Sequence, residues 1–383
     1  MEKITLTIVK AGVGGYIGHA TCHEDVQEKA REFLGKASSK GVLVDSWVGS
    51  VGDDLILLLS HEKGVDSKDI HRLAWDGLTA CAEVAEKLKL HNPAKDLFTD
   101  AFPGHLKGTG PVFAEVSFRE RPSEPFILFA ADKCGVGTWN LPLYRTFADP
   151  FNTPGLVIDP SMHEGFAFEI LDTLENKTIT LQCPGDLYDL IMFLGSSSRF
   201  AAYKVIRRVD GLVAAIGSGP RPPGTGRTAG TDDPFLLVRC QTGLPAVGEI
   251  LEAFSFPHLV TGWMRGTHVG PILPVAFEDA GAIRFDGPPR VIAAGFVLAN
   301  GEFEGPVDLF ADPAFDGVRK KSLEVADYLR RHGPFEPHRV PHDQMGNTPF
   351  HPMLSRLDPR MVRNDDPKKK RKQAVASEES TSG

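Results

Sequence analysis

The sequence has little with which to build a disulfide framework or a zinc ribbon. Its five cysteines, Cys22, Cys81, Cys134, Cys183 and Cys240, are scattered, odd in number and never form a CxxC pair, which argues against both. Long apolar runs are absent: no stretch approaches the ~20 residues that a membrane helix needs. The first residues, MEKITLTIVKAG, read as a strand rather than a secretory apolar core. Positive charge is not in excess either. Lys and Arg number 42 against 50 Asp and Glu, for a net charge of −8 and a pI near 5.9. General nucleic-acid binding, which wants a basic face, is therefore not expected. The expectation is a protein of a reducing cytoplasm, with neither membrane nor nucleic acid as partner.

At 383 residues and 42% hydrophobic content, the chain can bury a substantial core. Residues 4–10 alternate as a strand and end in the glycine-rich turn GVGGYIGH. Residues 24–40 read as a helix, with Val26, Ala30, Phe33 and Leu34 at helical spacing. VLVDSWVGS then leads through VGDD into the strand LILLLSH. An amphipathic helix is predicted over 67–90, with Ser67 as N-cap. Strands are predicted at 112–118, 126–131 and 166–171, and a strand pair closed by an Asp-Gly turn in KVIRRVDGLVAAIGS. Helices follow at 186–195, 247–254 and 319–331. The order lacks a regular parallel crossover rhythm, so an α+β layered sandwich with largely antiparallel sheets is expected. It is read as a single domain over residues 1–355.

Aspartates carry the chemical signal. Asp53-Asp54 lie in VGDDL and Asp232-Asp233 in GTDDP, while Asp132 ends the apolar run FILFAAD and is followed at once by Lys133. Adjacent ionised carboxylates repel each other and become useful when a cation sits between them. At a strand edge, alternation can send the two side chains towards different ions. Hard oxygen ligands beside a lysine suit Mg²⁺ and a phosphorylated substrate. GVGGYIG follows a strand but has Ile17 where a dinucleotide fingerprint needs its third glycine, so nucleotide binding is not expected. Residues 364–383 are charged, serine-rich and almost without apolar residues, and are expected to be disordered. Their PKKKRK run matches a short nuclear-import signal and equally a solubilising or weakly anion-binding tail.

Four long runs carry a family resemblance: NLPLYRTFADPFNTPGLVIDP (140–160), FPHLVTGWMRGTHVGP (256–271), RFDGPPR (284–290) and HGPFEPHR (332–339). With the aspartate motifs they make the chain resemble the archaeal and thermophilic-bacterial bifunctional fructose-1,6-bisphosphate aldolase/phosphatase, from about residue 4 to 345. That resemblance implies a single-domain α-β-β-α sandwich, a cytoplasmic homo-octamer acting in gluconeogenic carbohydrate metabolism, and several Mg²⁺ ions per site. It also implies roles residue by residue. His19, Asp53, Asp54, Asp132, Asp232 and Asp233 match metal ligands, and His19 also touches substrate. His91, Gly104, His105, Lys133, Gln241, Arg265 and Asp286 fall at substrate positions. Asp53 and Asp54, with Lys95, are the catalytic candidates.

The departures cluster in the same site. The family has a metal-binding aspartate where this chain has Gly12, a metal-binding glutamine where it has Lys95, and a tyrosine where it has His91. The family motif Tyr-Val-Gly-Lys-Asp-Asp-Pro reads here Thr228-Ala229-Gly230-Thr231-Asp232-Asp233-Pro234, and a further substrate tyrosine aligns with Asn347. A threonine hydroxyl cannot form an imine, so the family's covalent aldolase step is lost. The expectation is a Mg²⁺-dependent sugar-phosphate phosphatase with two to three ions. Lyase chemistry on another carbonyl through Lys95, Lys133 or metal is the second reading, and a sugar-phosphate-binding pseudoenzyme the third.

Overall fold

Alternation along a few strands decides the architecture. In Lys3–Gly12, Ile4, Leu6 and Ile8 join one buried cluster, while Val9 and Ala11 join another. In Asp54–His61, Ile56 and Leu58 follow the first phase and Leu55, Leu57 and Leu59 the second. Successive side chains of a strand point to opposite faces, so each of these strands has an apolar layer on both sides.

The computed structural model describes residues 3–93, 111–219, 233–281, 284–335, 337–341 and 350–361. Residues Met1–Gly346 form one unit and Asn347–Gly383 a second, in which helix Phe350–Leu357 is described. Among the described residues of the first unit, two sheets carry the fold. One has four strands in the order Asp45–Val51, Asp54–His61, Lys3–Gly12, Val112–Arg119. The other has nine, and its middle runs Arg290–Ala299, Glu124–Asp132, Phe235–Arg239, Val213–Gly217, Phe200–Arg207, Phe166–Asp172. The pairings are antiparallel except where Leu273–Pro274 joins Arg290–Ala299.

Three apolar clusters define four layers. Between the sheets, Ile4, Leu6, Ile8, Ile56 and Leu58 meet Phe126, Leu128, Ala130, Ile292 and Ala294. Outside the four-stranded sheet pack helices Glu24–Ser39, through Val26, Ala30 and Leu34, and Lys68–Lys87, through Ile70, Ala74 and Leu78. Outside the larger sheet, Ile127 and Phe129 meet Leu143, Leu190, Ile250 and Val318 from four helices. The result is the expected α-β-β-α sandwich.

The predicted elements lie within a few residues of their observed bounds. Ser67 occupies the N-cap position of Lys68–Lys87 but makes no side-chain capping bond. Strands Lys177–Gln182, Phe235–Arg239, Arg290–Ala299 and Glu302–Asp308 and helix Asn140–Ala148 are absent from the sequence reading. GVGGYIGH forms a two-residue-strand hairpin, Gly15–Tyr16 with Thr21–Cys22, where a glycine-rich turn is expected. All five cysteines are buried and unbridged. No described helix is long and apolar enough to cross a membrane.

A buried ion cluster ties one end of the larger sheet. Glu124, at the start of Glu124–Asp132, accepts from Arg239 Nε and Nη2 at 2.8 and 2.7 Å and from Arg121 Nη2 at 2.7 Å. The Arg239 guanidinium also lies 4.0 Å from the centroid of the Phe118 ring. Burial alone would push the Glu124 carboxyl up, but its hydrogen bonds and charge pairing with Arg239 and Arg121 outweigh that and hold it below the ordinary range. A depressed carboxyl adds stability above its unfolded pKa and loses it as pH falls through the folded one. Glu124→Gln is therefore expected to cost about 3–5 kcal/mol at pH 7, because it leaves buried guanidinium uncompensated. That penalty should shrink as pH falls below the ordinary glutamate range. Urea unfolding of both proteins at pH 7 and under acid checks it.

Candidate active site

Opposite the Glu124 end, several strands replace an apolar residue by a charged one on the face between the sheets. Ile4, Leu6 and Ile8 are followed in phase by Lys10; Ile56 and Leu58 are preceded in phase by Asp54. Phe126, Leu128 and Ala130 are followed by Asp132, and Ile292 and Ala294 are preceded by Arg290. Register brings the ends together: Gly12 pairs with Asp54, Lys10 with Ile56, and Asp132 with Arg290. The inter-sheet core thus terminates in a layer of buried charge.

Lys10 is 1% exposed and its ammonium is ion-paired to Asp54 Oδ2. Burial would lower its pKa, but the charges of Asp54, Asp233 and Asp132 outweigh that and hold it raised, as an ammonium. Asp53, in the turn before Asp54, meets His19 Nδ1 at 3.1 Å through Oδ2. Adjacent carboxylates therefore diverge, Asp54 into the seam and Asp53 towards the glycine-rich hairpin. His19 Nε2 lies 3.1 Å from His91 Nε2, and the rings are edge-on with centroids 4.5 Å apart. His91 itself is exposed, with its backbone bonded both ways to Gly15 at 2.9 Å.

Asp132 is packed so closely against Gly52 that a Cβ there would come within 2.4 Å of its carboxylate. Burial first, and then the charges of Asp233, Asp53 and Asp54, push its carboxyl up to about 7 against the opposing pull of Lys133. Lys133 Nζ stands 3.6 Å from Asp132 Oδ1 and donates to the His19 carbonyl at 3.2 Å. Burial would lower the Lys133 pKa, but Asp132, Asp233, Asp53 and Asp286 together keep it raised. Asp233 joins from the Phe235–Arg239 strand: its N–H donates to the Cys134 carbonyl at 2.6 Å, and its Oδ1 accepts from Cys134 N at 2.9 Å. Arg290, 4% exposed, donates to the carbonyls of Asp279 and Gly287 and so braces the turn after Asp286.

Asp54 Oδ1 and Asp132 Oδ1 are buried without a hydrogen-bond partner. Hard oxygens with lone pairs to spare fit a divalent cation beside the lysines that already pair with these carboxylates. Among the described residues, no three His, Cys, Asp or Glu side chains form a ready-made metal cluster. The donors present suit an ion that keeps water and takes substrate phosphate oxygens, as Mg²⁺ does with one or two carboxylates.

His19, His91, Asp53, Asp54, Asp132, Lys133 and Asp233 are thus brought together, and Asp286 acts on Lys133 through its charge. Arg265 is exposed on a left-handed turn that begins at Gly262, packed against Cys134 and Gly135. Gln241 is not in this group. It follows the far end of Phe235–Arg239, beyond five strand residues of about 3.3 Å each, and its carbonyl is held by Arg121 at 2.7 Å. Lys95, Gly104, His105, Thr228, Thr231, Asp232 and Asn347 lie outside the described residues, as does the tail from residue 364. Lys10 and Arg290 are the residues that sequence reasoning missed. Lys10 sits on the apolar phase of its strand, and that was the available signal.

A family model described as Fructose-1,6-bisphosphatase matches residues 3–362. The Ignicoccus hospitalis protein named fructose-1,6-bisphosphate aldolase/phosphatase is 51% identical over 360 residues, 94% of this chain and 93% of its own. Proteins of the same name from Pyrobaculum neutrophilum and Moorella thermoacetica are 52% and 50% identical, over 93% and 95% of this chain and 92% and 96% of theirs. With the family matched across nearly its whole length, the chain belongs to the fructose-1,6-bisphosphatase family and is an enzyme of the phosphatase type.

Proposed function

We propose that the chain is a Mg²⁺-dependent phosphatase of a phosphorylated sugar, fructose 1,6-bisphosphate or a close relative, that has lost the aldolase half of the activity for which its relatives are named. The observation that carries this reading is the pair of orphaned carboxylate oxygens, Asp54 Oδ1 and Asp132 Oδ1, buried beside a lysine. Asp53, Asp54, Asp132 and Asp233, with Asp232 and His19, are assigned to hold two to three ions. Bound Mg²⁺ supplies neutralisation of phosphoryl oxygens and a more acidic attacking water. Lys133 is assigned to the phosphate: its ammonium is already fixed by Asp132 and by the His19 carbonyl. Arg265 and Asp286 are assigned to the rest of the substrate, together with His91, Gly104 and His105; Gln241, at the Glu124 end of its strand, is not. Lys95 remains a catalytic candidate.

The lyase reading is less well supported. An amine must be neutral to attack a carbonyl, and the aspartates around Lys133 hold it as an ammonium. Thr231 has no amine to offer. A homo-octamer remains part of the proposal; exposed Phe151, Tyr188, Ile158 and Met192 support self-association, which light scattering would measure as a mass near that of a monomer if the idea is wrong.

Mg²⁺-dependent phosphate release from a sugar-phosphate panel, lost by on the order of 100-fold in Asp132→Asn, is the expected result. Silence across the panel, or a borohydride-trapped lysine adduct with a ketone, would reverse the ranking. Lys10→Met should lower metal-free stability by about 3–5 kcal/mol, since it leaves Asp54 uncompensated. Its melting temperature should then rise more on adding Mg²⁺ than that of the wild type, while Lys10→Arg stays close to wild type. Thermal melts in EDTA and in Mg²⁺ measure both.

A further inference from the structure

The hairpin side of the site has a donor set unlike the seam. Asp54 and Asp132 offer hard oxygens, whereas His19 and His91 bring two imidazole nitrogens, Nε2 of each, to within 3.1 Å. Two imidazoles bound to one first-row ion at about 2.0–2.1 Å each have their nitrogens roughly 3.0–3.4 Å apart. The other nitrogen of His19, Nδ1, lies 3.1 Å from Asp53 Oδ2. That carboxylate–imidazole contact is the arrangement that fixes the tautomer and orientation of a metal-bound histidine. His91 is held by its main chain, through the two hydrogen bonds with Gly15, so its ring is placed by the same hairpin that carries His19. The Asp53–His19 unit and His91 therefore come from two segments pinned to each other.

We infer that His19 Nε2 and His91 Nε2 form a site for a borderline divalent cation of the Mn²⁺-to-Zn²⁺ series, oriented by Asp53 and completed by water or substrate oxygen. Imidazole nitrogen favours such ions, while Mg²⁺ favours oxygen donors in octahedral array. The two sides of the pocket would then differ in ion preference, oxygen-rich in the seam and nitrogen-rich at the hairpin. The inference rests on the proposed function only in taking this pocket as the place where cations bind.

The test is calorimetric binding of Zn²⁺ and of Mg²⁺ to the full chain and to His91→Tyr, with Co²⁺ absorption in the visible as the spectroscopic readout. His91 is exposed, so the variant is expected to fold, and its melting temperature and circular dichroism confirm that. Wild type should bind Zn²⁺ and give a Co²⁺ spectrum of nitrogen ligation. His91→Tyr should weaken Zn²⁺ binding by about tenfold or more and change that spectrum, with Mg²⁺ binding unaltered. Equal Zn²⁺ affinity and an identical Co²⁺ spectrum in the two proteins would overturn the inference and reduce the 3.1 Å contact to a hydrogen bond. Mg²⁺ binding retained under that outcome would leave the phosphatase reading standing. Absence of binding by all three ions to wild type would remove both.

Discussion

The ion pair between Lys10 and Asp54 is the constraint on which the pocket depends. Both side chains leave the strand face that otherwise builds the inter-sheet core, at the end where the core stops. A lone buried ammonium costs several kcal/mol, and so does a lone buried carboxylate. Neither group could occupy the seam alone. With Lys10 in place, Asp54, Asp132 and Asp233 can approach from two different sheets without leaving the protein to repel itself apart. Charge balance and sheet packing are consequently the same problem at this end of the sandwich, because the paired charges also close the core.

The far end of the larger sheet solves the matching problem in another way. There Glu124, Arg239 and Arg121 satisfy one another almost completely, and the cluster fixes how Glu124–Asp132 lies against Phe235–Arg239. Fixed register at that end delivers Asp132 and Asp233 side by side at the other. One end of the strands is saturated and serves as anchor. The other end is left with unused acceptors, Asp54 Oδ1 and Asp132 Oδ1, and is the candidate site.

Much of this was legible in the sequence, and the rest was hidden for physical reasons. Asp54 and Asp132 stand out because each borders a run of buried residues, where a carboxylate is hard to explain without a counter-charge. Lys10 carries the same signal, but a lysine at a strand end is usually read as reaching solvent, and only its neighbours reveal that it cannot. Arg290 was hidden because VIAAGFVLA has no alternation to read: Ile292 and Ala294 face one buried layer and Ala293 the other. A central strand covered on both faces loses the period that marks strands. Resemblance supplied roles but not places, so Gln241 was grouped with residues that lie at the opposite end of its strand.

Backbone conformation adds a consequence of its own. Lys133, Asp233, Arg265 and Asp286 all have left-handed φ, between 55° and 60°. A non-glycine residue there gives up on the order of 1–2 kcal/mol, so four charged groups around the pocket are each held against their local preference. Glycine at any of them would relax the chain while deleting the charge. At Asp233 and Lys133 it would also remove the bond to the Cys134 amide and the pairing with Asp132, so the strained backbone is tied to the contacts the side chains make.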